Sequence, residues 1–302
     1  MSDLAKTWSE RAADLIKSAG ANLEYAEANA EAIRGAVTGF GPDDPKPDKN
    51  FGAKMVCNMS SAHVPAFVDA SISGEEKPYK NAYDLSRYRI GGEPGKPLKM
   101  RELVDAALPL EGFDASDVYF GAVELNGTGM RFYGDICLVL KAEAVPKETV
   151  VLDRNSFDLA RSPLREIIEK EQDQKAARKK AAKKLSGTWK ADLPSMSCIK
   201  VLEYAGPLNR RITTAGISDG LLHDEDYIEV LLHRSFGIDK IQEARASAAD
   251  AALEAHISQR SQQSPIPTAE SLLWRARRRQ AEAALLRGNC LLRVVVTTGR
   301  TR

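Results

Sequence analysis

The stretch Asp226-Tyr-Ile-Glu-Val-Leu-Leu-His-Arg-Ser-Phe-Gly-Ile-Asp-Lys-Ile-Gln242 places one acid, Glu229, inside an apolar run. The run reads as a strand, a turn and a second strand. Side chains alternate faces along a strand, so Ile228, Val230 and Leu232 point one way and Tyr227, Glu229, Leu231 and His233 the other. A glutamate fixed by such a strand beside a tyrosine can form the floor of a cleft. The alternative for the same residue is a solvent-facing strand carboxylate.

Other residue types that carry chemistry are scattered. Cys57, Cys137, Cys198 and Cys290 are isolated and form no CxxC pair. That pattern fits neither a zinc ribbon nor a disulfide framework and points to a reducing compartment. His63, His223, His233 and His256 have no metal-ligand spacing. Gly134-Asp135-Ile-Cys137 echoes a nucleotidyltransferase strand, but Cys137 stands where the second magnesium-binding aspartate is needed. His223–Asp226 with Glu229 could bind a metal at a nuclease-like site, but lacks the accompanying Glu-x-Lys.

Several elements must position these residues. Apolar residues at helical spacing (Leu4, Trp8, Ala12, Leu15, Ile16) predict a helix over 3–38. Gly39–Asn50 is a Gly/Pro/Asp-rich connection, and Gly91–Pro97 a second such loop. A short helix is expected at Arg101–Leu108. Val118–Leu125 and Met130–Lys141 read as strands joined by Asn126-Gly-Thr-Gly129, a hairpin signal because Asn and Gly tolerate positive φ. Thr149–Leu152 is a further strand. Ser162-Pro163-Leu164-Arg165-Glu166 opens a long helix that runs to about Leu185. Strands are expected at Ser197–Tyr204, Tyr227–His233 and Ile238–Ala244. A helix over Ser247–Gln259, a linker at Ser261–Pro267, a helix over Ala269–Leu286 and a strand at Leu291–Thr297 complete the chain.

This order predicts an α+β fold: a helical N-terminal region, a mixed, largely antiparallel sheet core and a helical C-terminal region. The corresponding segments are 1–50, 51–245 and 246–302. A chain of 302 residues with 43% hydrophobic and 28% charged residues can bury a sizeable core. The N-terminus lacks a basic region followed by an apolar core, and no apolar run is long enough to span a bilayer. The expected location is the cytoplasm, reached without a cleavable signal if the protein is delivered there.

Three pieces could share a site: Gly129-Met-Arg-Phe-Tyr-Gly-Asp-Ile-Cys-Leu-Val-Leu140, Asp153-Arg-Asn-Ser-Phe157 and the Glu229 strand. Together, over about Val118 to Ala244, they resemble the ADP-ribosyltransferase fold. That family places an arginine on an early strand, a Ser/Thr-containing strand in the middle and a glutamate at the start of a late strand. The form Glu229-Val-Leu-Leu, then a turn, then Ile238-Asp-Lys-Ile, matches the late element.

The resemblance implies an enzyme of toxin or effector kind that takes NAD as substrate and transfers ADP-ribose to an unknown acceptor macromolecule. Glu229 would be the catalytic carboxylate, stabilising the oxocarbenium-like ribose as carboxylates do in glycosidases. Arg131 would pair with the diphosphate through its planar fork. Ser156 would supply the middle-strand hydroxyl, orienting the carboxylate or the ribose. Tyr133 or Tyr227 would stack on nicotinamide. The pattern departs from the family in three places. Phe132 intervenes between Arg131 and Tyr133-Gly134. Asn155-Ser156 replaces the usual Ser-Thr-Ser, with Thr213-Thr214 as a rival. Tyr227 stands two residues before the glutamate.

A different class of function is open through charge. Net charge is only +1, so attraction to a polyanion must be local. Lys175, Arg178, Lys179, Lys180, Lys183 and Lys184 form one basic helical cluster, and Arg275, Arg277, Arg278 and Arg279 a second. Cationic helices can track a phosphate backbone. The alternative partner is an acidic protein, and the alternative reading is a pair of solvated helix faces.

Overall fold

The computed structural model describes residues 6–39, 52–86, 113–160, 173–206, 209–223, 226–260 and 267–296, together with 104, 105, 108 and 110. In chain order its elements are α1 (Trp8–Lys17), α2 (Leu23–Thr38), β1 (Lys54–Met59), α3 (Val64–Ile72), α4 (Ala82–Ser86), β2 (Val118–Glu124), β3 (Ile136–Leu140) and β4 (Val150–Leu152). Then follow α5 (Gln174–Leu185), β5 (Ser186–Thr188), α6 (Leu193–Ala205), α7 (Thr214–Leu221), β6 (Leu222–His223), β7 (Asp226–Tyr227) and β8 (Glu229–His233). The last are β9 (Ile241–Ser247), α8 (Ala248–Arg260), α9 (Ala269–Arg287) and β10 (Leu292–Val295). The fold is α+β with a mixed, largely antiparallel sheet and helices at both ends of the chain.

Contacts divide the chain into two units that interleave along the sequence. The first comprises Met1–Ala53, Lys80–Leu125 and Val145–Arg234; the second comprises Lys54–Tyr79, Asn126–Ala144 and Ser235–Arg302.

In the first unit β2, β8, β4 and β5 pair in that order, all antiparallel. With a neighbour on each side, β8 buries Glu229, Val230, Leu231 and Leu232 in succession. One face of this sheet packs on α5 through Val118, Leu152 and Leu231 against Ala177, Ala182 and Leu185. The helices α1, α2, α6 and α7 pack on one another. Helix α1 starts on a reciprocal cap: Thr7 Oγ1 accepts the Glu10 N–H, and Glu10 Oε2 accepts the Thr7 N–H at 2.7 Å. Helix α2 stops at Gly39, which adopts φ 76°.

In the second unit the order is β10, β9, β3, β1, antiparallel except for β9 with β10. Helix α9 packs on α3 and α8. Buried Arg278 of α9 bonds Asp135 at 2.9 Å and Glu254 of α8 at 3.3 Å. Asp135 also accepts the Ser61 N–H. There is no room for a Cβ at Gly134, where the backbone of Met59 and Ser60 lies against it.

Several expectations change. Ser197–Tyr204 is helical, not a strand: it lies within α6, opened by Pro194 and closed by Gly206. Its apolar residues suggested alternation, but this helix is buried on most sides, and burial erases a helical period. The Asn126–Gly129 hairpin does not form. β2 pairs with β8, and β3 with β1 and β9. The helix predicted over 3–38 is broken at 18–22. Val64–Ile72 and Lys54–Met59 form a helix and a strand that no periodicity had singled out. Gly91–Pro97, the opening of the long helix at Ser162–Glu166, and most of Gly39–Asn50, Arg101–Leu108 and the Ser261–Pro267 linker lie outside the described residues.

Candidate functional site

Glu229 opens β8 opposite Ala122 of β2 on one side and Leu152 of β4 on the other. It is 4% exposed, which removes the solvent-facing alternative. Its Oε2 accepts the backbone N–H of Ser156 at 2.9 Å. β4 ends at Leu152, and the chain turns at once. Asn155 Oδ1 accepts the Phe157 N–H, and the Asn155 carbonyl accepts the Asp158 N–H. This Asx turn aims the Ser156 N–H at β8. Of the two groups that Ser156 offers, the backbone amide and not the hydroxyl bonds the carboxylate. Ser156 Oγ is fully buried and has no hydrogen-bond partner among the described residues.

The remaining candidates divide. Tyr227 is in the same unit, but it is 3% exposed and pairs with Leu222 in the β6–β7 ladder, so its ring belongs to the interior. Arg131 and Tyr133 belong to the second unit. They lie on a single 3₁₀ turn, Arg131–Tyr133, rather than on a strand. Arg131 Nη2 is engaged by Asp250 Oδ1 at 2.6 Å. Tyr133 is half-exposed against Phe132. The Tyr227–His233 strand is divided at Ile228, whose carbonyl accepts the Val123 N–H.

The first unit also carries charged groups that the sequence did not single out. Arg154, two residues before Ser156, forms a two-point bond with Asp153, at 2.9 and 3.0 Å. That bond is the main cause raising the Arg154 pKa, with the charges of Asp153, Asp226 and Asp158 acting the same way against partial desolvation. Lys200 of α6 bonds Asp226. Glu203, one turn on, is raised, first by desolvation and then by the Asp153 and Asp226 charges, while Lys200 opposes. The strand misreading of α6 hid Lys200 and Glu203.

A second buried acid, Glu124, ends β2. Its Oε1 accepts the Leu125 N–H at 2.9 Å and the Ser218 hydroxyl at 2.7 Å. It lies two residues beyond Ala122, on the sheet face that carries Glu229. The signal was present in sequence: Val118-Tyr-Phe-Gly-Ala-Val-Glu124, like Tyr227-Ile-Glu229, is an apolar run interrupted by one acid.

No family model matches the chain, nor does any curated protein or solved structure. Function must therefore be read from the site alone.

Among the described residues no cluster of three or more His, Cys, Asp or Glu could hold a metal ion. Asp224 and Glu225 of the nuclease-like candidate lie outside the described residues. The basic clusters also differ. In the second cluster Arg278 is buried in its bonds to Asp135 and Glu254, and Arg279 pairs with Glu254 and Glu282. In the first, Lys179, Lys180, Lys183 and Lys184 are exposed on α5.

Proposed function

We propose that the chain is an ADP-ribosyltransferase-like enzyme that cleaves NAD and passes ADP-ribose to a macromolecular acceptor. One observation carries the reading. Glu229, at the head of a central strand, is desolvated and fixed by the Ser156 amide at 2.9 Å, beside a buried hydroxyl with spare bonding capacity.

The chemistry calls for such a group. Breaking the bond between ribose and nicotinamide sends the electron pair out with neutral nicotinamide and leaves positive charge on the sugar. An immobile carboxylate stabilises that charge without reorganising, and does so more strongly in a low-dielectric surrounding. The Ser156 N–H holds the Glu229 carboxylate in one orientation, and Ser156 Oγ is the hydroxyl available to a ribose oxygen. In this reading Arg154 replaces Arg131 as the diphosphate partner, since it stands two residues from Ser156. The acceptor nucleophile then loses its proton as its bond to the sugar forms.

The test is release of nicotinamide from labelled NAD. Wild-type protein should turn over NAD, and Glu229→Gln should lower turnover by at least about 100-fold, the scale of one transition-state electrostatic contact. Full turnover by Glu229→Gln removes this residue from the reaction.

A second reading is favoured by the exposed lysines of α5: a non-enzymatic protein that binds a polyanion.

A further inference from the structure

We infer that β10 joins two copies of this chain edge to edge, in an antiparallel pair centred on Val294. The inference concerns the second unit alone and does not depend on the role of Glu229.

β10 pairs with β9 on one side, and among the described residues no strand pairs with its other side. One bond fixes where its backbone groups point: the Leu291 carbonyl accepts the Ala244 N–H at 3.0 Å. Successive residues of a strand turn their N–H and C=O groups to opposite edges, so Leu291, Arg293 and Val295 serve β9. Leu292, Val294 and Val296 therefore direct theirs outward. The side chains of this edge are open as well, with Leu291 66%, Val294 57% and Val296 87% exposed.

Proteins commonly blunt such an edge with lysine, proline or a bulge. Leu291-Leu-Arg-Val-Val-Val296 contains no proline and a single charge. That charge, Arg293, bonds Glu243 of β9 at 2.8 Å, so it is matched within the chain. The register with β9 runs without a shift from Leu292 to Val295. The edge is straight, rich in β-branched residues and ready to pair.

The occupant that fits it is the same edge turned over. A two-fold axis at Val294 sets Val294 against Val294 of the second copy, and Leu292 against its Val296. Every outward N–H then meets an outward carbonyl. Arg293 falls opposite Val295 of the second copy, so no like charges face each other, and the apolar side chains meet as cross-strand pairs. Such a self-complementary contact closes at two copies. An unrelated extended segment would need the same alternation, which this chain already carries.

Sedimentation velocity on the full chain reads the association from about 1 to about 200 µM, the weak range expected of a small, one-strand contact. Mass should rise from one copy to two and stop. Val294→Pro removes an outward N–H that β9 does not use, so it should keep the wild-type urea midpoint and stay monomeric. Val294→Lys places two cations on the axis and should weaken the dimer at least about 10-fold, as Val294→Glu should with two anions. Mixing Val294→Lys with Val294→Glu should restore the dimer, because the axis brings position 294 against itself. Wild-type protein that stays monomeric throughout overturns the inference and leaves the edge to a different chain. Mass that climbs past two copies also overturns it. So does wild-type association by both Val294→Pro and Val294→Lys, or a mixture of the two charged variants that stays monomeric.

Discussion

At the scale of single residues, the proposed function turns on Glu229, a buried acid that accepts the Ser156 amide N–H. A buried carboxylate is costly unless it is hydrogen-bonded, and removing its partner exposes that cost. Glutamine at position 229 keeps an oxygen for the Ser156 N–H, so Glu229→Gln should stay within about 1 kcal/mol of wild type in urea unfolding. Glu229→Leu leaves that amide without an acceptor and should lose about 1–3 kcal/mol. Equal stability of both variants would mean that the bond does not hold the carboxylate. The same pair validates the activity test, since a stable but inactive Gln variant has lost chemistry, not structure. Sequence could identify Glu229 because an acid inside an apolar run is conspicuous. It could not identify the amide of Ser156, because every residue but proline carries one.

At the scale of elements, the errors share a cause. The apolar residues of 197–204 fit a strand as well as a helix, because a helix buried on most sides carries no clear period. Asn126–Gly129 has turn chemistry, yet a turn does not decide which strands pair. Charge was similarly ambiguous. Arg275, Arg277, Arg278 and Arg279 resemble a binding stripe in one dimension, but Arg278 closes an ion-pair network between α9, α8 and Asp135. Arg278→Met should cost about 3 kcal/mol, because it leaves the Asp135 and Glu254 carboxylates short of a buried cation. The loss should be read from the urea midpoint. The effect is held near the lower end because Asp135 keeps the Ser61 N–H and Glu254 keeps Arg279. A loss below about 0.5 kcal/mol would return Arg278 to the class of surface charges.

At the scale of the molecule, the two units interleave, so the linear segments 1–50, 51–245 and 246–302 do not correspond to them. No described helix is long and apolar enough to cross a membrane. All four cysteines are buried as free thiols. Desolvation pushes Cys57 up to about 12, and Cys198 and Cys290 up to about 11. A thiol reagent acts on the thiolate, so the folded protein should read near zero thiols at pH 8 while denatured protein reads four. Fast reaction of any one thiol in the folded state would show a site open to solvent.

The sequence alone settled the class of fold and the positions of β2, β4, α8 and α9, and it marked Glu229 as an acid inside an apolar run. Those features are local: periodicity, capping and a polar residue in an apolar run can be read within about ten positions. Tertiary structure alone decided that Glu229 is buried, that the Ser156 amide holds it and that Arg131 is committed to Asp250. It also decided which basic cluster faces outward. Each of these depends on partners 70 or more residues away or on packing against another element, and no short window of sequence contains that information.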